Sequence, residues 1–382
     1  MAGTVRDGPS RRTTVPKRVS IVVFRECDPS IIYGVFDTLW AAGRFFKIRP
    51  GKPFFEPSSA AARNGPLAGE PLFEPRIVAA EHGPLELITG VSIIPQDSID
   101  EIEQTDIVFV PNPVVLTPED LHALDRRIID WVAKMHEKGA LICSACGGSL
   151  VLAAAGLLSG RETTTHWSHV PVFRQEFPDV LLHEDRILVQ SGDGHNIISC
   201  GGASSWQDLA LLLIARYGSG EEAIRISRFF LYQWHRDGQL PYASMAVNVV
   251  HGDAVVLKCQ TWLAENYDRA DVVTEVARVS GLPKRTFDRR FRAATGYSPL
   301  AYVQALRIEE AKQMLETGSD PVDVIGREVG YEDASSFSRL FRRQTGISPG
   351  DYRRRFRIPD YARSSSQDAR PGSRVLKRSE AG

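Results

Sequence analysis

FDRRFRAATGYSPLAY (residues 287–302) and FSRLFRRQTGISPGDY (residues 337–352) lie 50 residues apart and share nine of sixteen positions: both Phe, two Arg, Thr, Gly, Ser, Pro and Tyr. A repeat of that density marks a duplicated supersecondary unit. Upstream of each copy stands a short helical pattern and then a tight turn. VVTEVARVSGLPKRTFDRRF (272–291) carries apolar Val273, Val276 and Ala277, the turn Ser280-Gly281-Leu282, and Pro283 at a position suited to a first helical turn. PVDVIGREVGYEDASSFSRLF (321–341) repeats the arrangement with Val324, Ile325 and Val329, the turn Gly330-Tyr331-Glu332, and Asp333 as a helix N-cap. A short helix, a tight turn and a second helix make a helix-turn-helix unit.

Phe287 and Phe291, like Phe337 and Phe341, are four residues apart, so each pair shares one helix face and is expected in the core. The opposite face then carries Lys284, Arg285, Asp288, Arg289 and Arg292 in the first unit. In the second it carries Ala334, Ser335, Ser338, Arg339 and Arg342, with Arg343 beside them. Arginine bonds guanine through two parallel hydrogen bonds, while Ser and Ala suit thymine methyls and short hydrogen bonds in the major groove. An isolated basic helix would read more simply as a solvated face; a turn ahead of the helix, twice over, favours DNA. A helix over 302–315 would span roughly 21 Å and hold the two recognition helices about one DNA turn, roughly 34 Å, apart.

These residues resemble the AraC/XylS regulators. GYEDASSFSRLFRRQTGISPGDYR (330–353) matches that family's signature, and the likeness covers about residues 253–356. It implies base contacts from Arg285, Asp288 and Arg289, and from Ala334, Ser335, Ser338 and Arg339. A carboxylate at Asp288 accepts from cytosine but is repelled by phosphate. The resemblance further implies promoter DNA and RNA polymerase as partners, and activation of transcription.

The chain has 382 residues, room for two or three domains. Its net charge of −1 conceals an asymmetry: residues 253–358 carry 18 Lys/Arg against 15 Asp/Glu, and the remainder 28 against 32. The stretch before the repeats alternates strand-like VSIVVF (19–24), IVFVP (107–111) and ALICSA (140–145) with helical patterns over 31–46, 121–139, 206–217 and 221–234. Such alternation predicts α/β architecture: a parallel, flavodoxin-like sheet with helices on both faces, followed by an all-α domain. The expected organisation is a disordered tail at 1–18, an α/β domain over 19–218, a helical linker over 219–252, the double helix-turn-helix domain over 253–357, and a second disordered tail at 358–382. No run of eighteen apolar residues and no signal-like segment is present, and five scattered cysteines do not form a disulfide framework, so a cytoplasmic protein without membrane contact is expected.

Cys146 lies in SACGGSLVLAAAG (144–156), between a strand and a helix with small neighbours, the composition of a nucleophile elbow, and His166 follows in TTTHW as a candidate base. Cys143 and Cys146 form a CxxC, but Cys143 is expected inside the strand, and no second pair supplies the remaining ligands, so neither metal nor cofactor is expected. This half resembles the ThiJ/PfpI, or class I glutamine amidotransferase-like, domain. AGLLSGRETTTHW (155–167) and the HRDGQ stretch (235–239) are similar to those of GlxA-type regulators, which join that domain to an AraC domain. The resemblance implies a homodimer and a small-molecule effector, often nitrogen-containing or derived from an amino acid.

Catalysis is not expected. In the enzymatic relatives an acidic residue in the first βα loop supports the cysteine, and aligning GVFDTLWAAG (34–43) places Ile31 there, with Asp28 or Glu26 available on a shifted register. Pro111-Asn112-Pro113 also stands where relatives carry glycine, and proline lacks an N–H donor. For Cys146 a packing role, a ligand-contacting or redox role and a catalytic role remain open, as do a structural role and a base role for His166. The competing function is a ThiJ/PfpI-type cysteine hydrolase (amidase, glyoxalase or deglycase) joined to a DNA-binding domain.

Overall fold

The computed structural model describes residues 15–44, 70–245, 247–249 and 251–359. These form two compact units, one ending at Gln239 and the other beginning at Leu240.

The first unit is built on a seven-stranded sheet. Its strands are β1 (Lys17–Val22), β2 (Phe73–Ala79), β3 (Asp97–Ser98), β4 (Ile107–Val110), β5 (Leu141–Ala145), β6 (Leu188–Ser191) and β7 (Ile197–Cys200), in the spatial order β6-β7-β5-β4-β1-β2-β3. All neighbours are parallel except β6 and β7. Every residue of IVFV in β4 and LICSA in β5 is buried, as central parallel strands covered on both faces require. The helices that matter below are α1 (Pro29–Ala41), α2 (Arg126–Glu137), α3 (Gly148–Ala154), α4 (Trp206–Tyr217) and α5 (Gly220–Phe230).

Local chemistry explains where the elements depart from expectation. The helix foreseen over 31–46 starts earlier, because the Asp28 carboxylate accepts the Ile31 N–H and Pro29 occupies its first turn; residues 45–46 lie outside the described ones. The run 121–139 is two helices. Pro118–His122 stands on a Thr117 capping box, and α2 restarts where Asp125 accepts the Arg127 N–H. The helix foreseen over 221–234 stops at Phe230, where Leu231 turns left-handed at φ 60°. That helix was assigned to a linker, yet it packs on α4, and its Glu222 accepts from the Gly43 N–H (3.0 Å), so it belongs to the first unit. The tails foreseen at 1–18 and 358–382 lie almost wholly outside the described residues, but Lys17 and Arg18 pair with Phe73 and Glu74 as the start of β1.

The second unit is all helical: α6 (Ala254–Asn266), α7 (Val272–Ser280), α8 (Lys284–Thr295), α9 (Pro299–Thr317), α10 (Val322–Glu328), α11 (Ala334–Thr345) and α12 (Pro349–Phe356). The connecting helix α9 has 19 residues, longer than foreseen, since Ser298 caps it and Pro299 opens it. Two cores divide the unit. One gathers Phe287, Phe291, Val276 and Tyr302, and the other Phe337, Phe341, Ile325 and Tyr352. Both predicted Phe pairs are thus wholly buried.

Candidate DNA interface and cysteine site

Each helix-turn-helix places its second helix with phenylalanines inward and charge outward. In α8, Lys284, Arg285, Arg289 and Arg292 are exposed and Asp288 is half-buried; in α11, Ser335, Arg339, Arg342 and Arg343 are exposed, and Ala334 and Ser338 half-buried. The turns that aim these helices differ. In the first, Gly281 is left-handed at φ 67° and Ser280 Oγ accepts the Leu282 N–H at 3.1 Å. Pro283 takes the N-cap position itself, one place earlier than foreseen, and contributes no side-chain cap. In the second, Gly330 has φ 91°, and Asp333 caps α11 by accepting from the Ser335 and Ser336 N–H groups, a cap of the kind whose loss costs about 1 kcal/mol.

The capping carboxylate also reaches the exposed face of α11. Arg339 donates to Ser336 Oγ at 2.8 Å and lies 3.8 Å from Asp333, so this arginine is held near the helix start. One arginine of α8 is committed elsewhere: Arg290 forms a two-pronged pair with Asp253 (2.9 and 2.8 Å), which ties α8 to the start of α6 and pulls the Asp253 carboxyl below its usual range.

In the first unit the strand order reverses direction between β1 and β4, and the chain after each strand's carboxyl end lines the crevice there. Cys146 follows β5 with φ 56°, the left-handed conformation that a nucleophile elbow imposes on a residue other than glycine. Its own N–H donates to Cys200 O at 2.9 Å, and the Gly147 N–H donates to Asn112 Oδ1 at 2.9 Å. Asn112 Nδ2 in turn donates to Asp28 Oδ2 at 3.2 Å. Ile31, aligned with the acidic position, is buried in the core. The carboxylate near the elbow is Asp28, the cap of α1, and Asn112 stands between it and Gly147.

Burial pushes the Cys146 thiol well above its ordinary range, and the neighbouring Asp28 carboxylate acts in the same direction. The start of α3, which favours a thiolate, is outweighed by desolvation. Cys143 lies inside β5 as foreseen, and Cys200 is pushed up to about 12 by burial.

Two histidines follow Thr165, whose Oγ1 donates to Cys146 O at 3.2 Å. His166 Nδ1 pairs with Ser168 Oγ at 2.7 Å, and burial lowers its pKa. His169, which sequence reasoning missed, lies against the elbow. A Cβ built on Gly147 would stand 2.6 Å from His169 Nε2 and 2.7 Å from Asn112 Oδ1, so glycine there admits both side chains. His169 Nδ1 donates to Val115 O at 2.8 Å, leaving Nε2 as the acceptor of a neutral ring, and burial brings its pKa down to about 4. The only available signal was its spacing, three residues beyond His166.

The low pKa of His169 sets a pH dependence. Above pH 7 neither folded nor unfolded chain protonates it. Between about 6.5, the unfolded value, and 4 only the unfolded chain takes the proton, so stability falls as pH falls, by up to about 3 kcal/mol at pH 4. Thermal melts of the first unit at pH 7 and pH 4.5 are expected to differ less in His169→Gln than in the wild type; equal differences would show that His169 titrates normally.

Residues 67–209 match the DJ-1/PfpI family and residues 276–355 a helix-turn-helix domain family. The transcriptional regulator CdhR of Pseudomonas aeruginosa is 27% identical over 266 residues, 69% of this chain and 76% of its own. The transcriptional regulator GlxA of Rhizobium meliloti is 29% identical over 227 residues, 58% of this chain and 68% of its own. An AraC-like transcription regulator of Streptomyces antibioticus is 36% identical over 102 residues, 27% of this chain and 34% of its own. Two family matches over separate parts of one chain, on the two folds described above, show that it carries a DJ-1/PfpI domain ahead of an AraC-type helix-turn-helix domain, and the relatives it resembles are transcription regulators.

Proposed function

We propose that this regulator reads promoter DNA with the outer faces of α8 and α11 and senses a small effector at the end of the sheet, through Cys146, His166 and His169. One observation carries the DNA reading. Two repeated units each bury a Phe pair on one side of a helix that follows a glycine turn, and leave arginines exposed on the other. Lys284, Arg285, Asp288, Arg289 and Arg292 form one contact set; Ala334, Ser335, Ser338, Arg339, Arg342 and Arg343 form the other. The domains run over 19–239 and 253–357. A cytoplasmic homodimer acting with RNA polymerase follows from the likeness to AraC-type regulators.

The cysteine site favours sensing over hydrolysis. In an acyl-transfer elbow the N–H after the nucleophile stabilises the oxyanion; here the Asn112 side chain already accepts it, and the thiol is held protonated. A route out of the site supports sensing. Thr165 Oγ1 donates to Cys146 O at 3.2 Å, and Gln239 Nε2 donates to Thr165 O at 2.8 Å. Gln239 is buried at the last position of the first unit, so a ligand that moves the elbow also moves the start of the chain leading to the second. Such a ligand regulates only through unequal affinity for two arrangements.

The test is selection of bound fragments from randomised duplex DNA by the full chain at about 150 mM salt, which suppresses binding to phosphate alone. Two short blocks about one turn, roughly 34 Å, apart are expected. Arg339→Ala should cost about 1–3 kcal/mol at one base position, and Arg343→Ala should weaken all sequences alike. Failure to enrich any sequence would overturn the reading, and equal losses on every sequence for both variants would overturn the assignment of faces.

A further inference from the structure

Arg307 lies midway along α9 and is 8% exposed. Its donors go to backbone carbonyls on both sides of the helix: Nε to Tyr267 O at 2.7 Å, Nη2 to Arg269 O at 2.9 Å, and Nη1 to Gly330 O at 3.0 Å. The guanidinium also lies over the Tyr331 ring, 5.0 Å from its centroid. Tyr267 and Arg269 belong to the turn between α6 and α7, the lead into the first helix-turn-helix, whereas Gly330 and Tyr331 are the turn of the second. These two turns also meet directly, since a Cβ on Gly330 would stand 2.4 Å from Asp268 O.

We propose that Arg307 is a positioning residue that sets the spacing and rotational phase of the two recognition helices, and through them the separation of the two blocks that the protein accepts in DNA. The inference rests on the DNA reading above. Each unit packs its core on α9, one through Tyr302 and Leu306 and the other through Ile308 and Leu315, and apolar packing of this kind is non-directional and tolerates small rolls of one unit against the other. A planar fork with fixed donor directions, hydrogen-bonded to both turns at once, removes that freedom. Lysine keeps the charge but presents a single rotatable ammonium that cannot hold three carbonyls in one plane. The buried charge is stabilised by these carbonyls and the ring, and without them a buried cation is costly.

The experiment measures binding of the full-length protein to duplexes in which the selected blocks are moved one base pair closer or farther apart, for the wild type, Arg307→Lys and Arg307→Met. The wild type is expected to lose affinity on the order of tenfold at each altered spacing, because the duplex must twist to restore phase. Both variants are expected to lose much less. Simple destabilisation lowers occupancy at all spacings equally, so the ratio between spacings isolates positioning, and Arg307→Lys keeps the test open if Arg307→Met fails to fold. Wild-type spacing ratios unchanged in Arg307→Lys would overturn the inference and leave the DNA reading standing. A wild type that selects no paired blocks would overturn both.

Discussion

Phe337→Ala is expected to destabilise the second helix-turn-helix unit by about 3–5 kcal/mol, the range for removing a buried phenylalanine. The ring is wholly buried, lies 5.8 Å from both Tyr331 and Phe341, and packs so closely on Gly326 that a Cβ there would come within 3.1 Å of it. Its core is small, built around Ile308, Leu315, Ile325, Leu340, Phe341 and Tyr352, with few neighbours able to collapse into the cavity. Against a total stability of about 5–15 kcal/mol for a domain, the loss is large. Urea titrations followed by circular dichroism should show an early transition in the variant, while the part reporting the sheet keeps its midpoint. Selected DNA should keep only the block read by α8. A loss below 1 kcal/mol would mean that the ring is not part of the core.

Gly330→Ala should cost about 2–5 kcal/mol without removing a single side-chain contact. A left-handed backbone in a residue with a Cβ costs about 1–2 kcal/mol, and forcing apart a packed contact adds about 1–3 kcal/mol. Both apply: φ is 91°, and the added methyl would meet Asp268 O at 2.4 Å and Arg307 Nη2 at 2.9 Å. Asp268 O is backbone, so the strain passes to the turn between α6 and α7. Melting the variant and measuring its affinity for the selected duplex test this. Stability and affinity both within experimental error of the wild type would show that the two turns are not in contact.

The helix-turn-helix half was legible because its rules act over short stretches. The 50-residue repeat, the four-residue Phe spacing, the glycine turns and the Asp333 cap are each settled within a turn or two of chain. The errors in that half were of position: Pro283 stands at the N-cap position of α8, one place before its first turn, and α9 gained a turn from Ser298 and Pro299. In the α/β half, βα alternation and the elbow at Cys146 were also readable, since small residues between a strand and a helix state a backbone requirement directly. The carboxylate near the elbow was not singled out, because its place depends on how the first βα loop packs against Asn112: Ile31, aligned with the acidic position, is a core residue, while Asp28 caps α1 three residues earlier and accepts from Asn112.

By itself, then, the sequence determined the two architectures, the repeated DNA-reading units, the faces they present and the strained cysteine, all consequences of local backbone preference and hydrophobic periodicity. Tertiary structure alone decided that Asn112 occupies the Gly147 N–H from 35 residues away, that His169 lies against the elbow at Gly147, and that Arg307 joins turns 40 and 23 residues distant. The physical reason is common to all three. A side chain's hydrogen-bond partner is chosen by which backbone groups remain unpaired once strands and helices have packed, and that choice depends on topology, which no local pattern encodes.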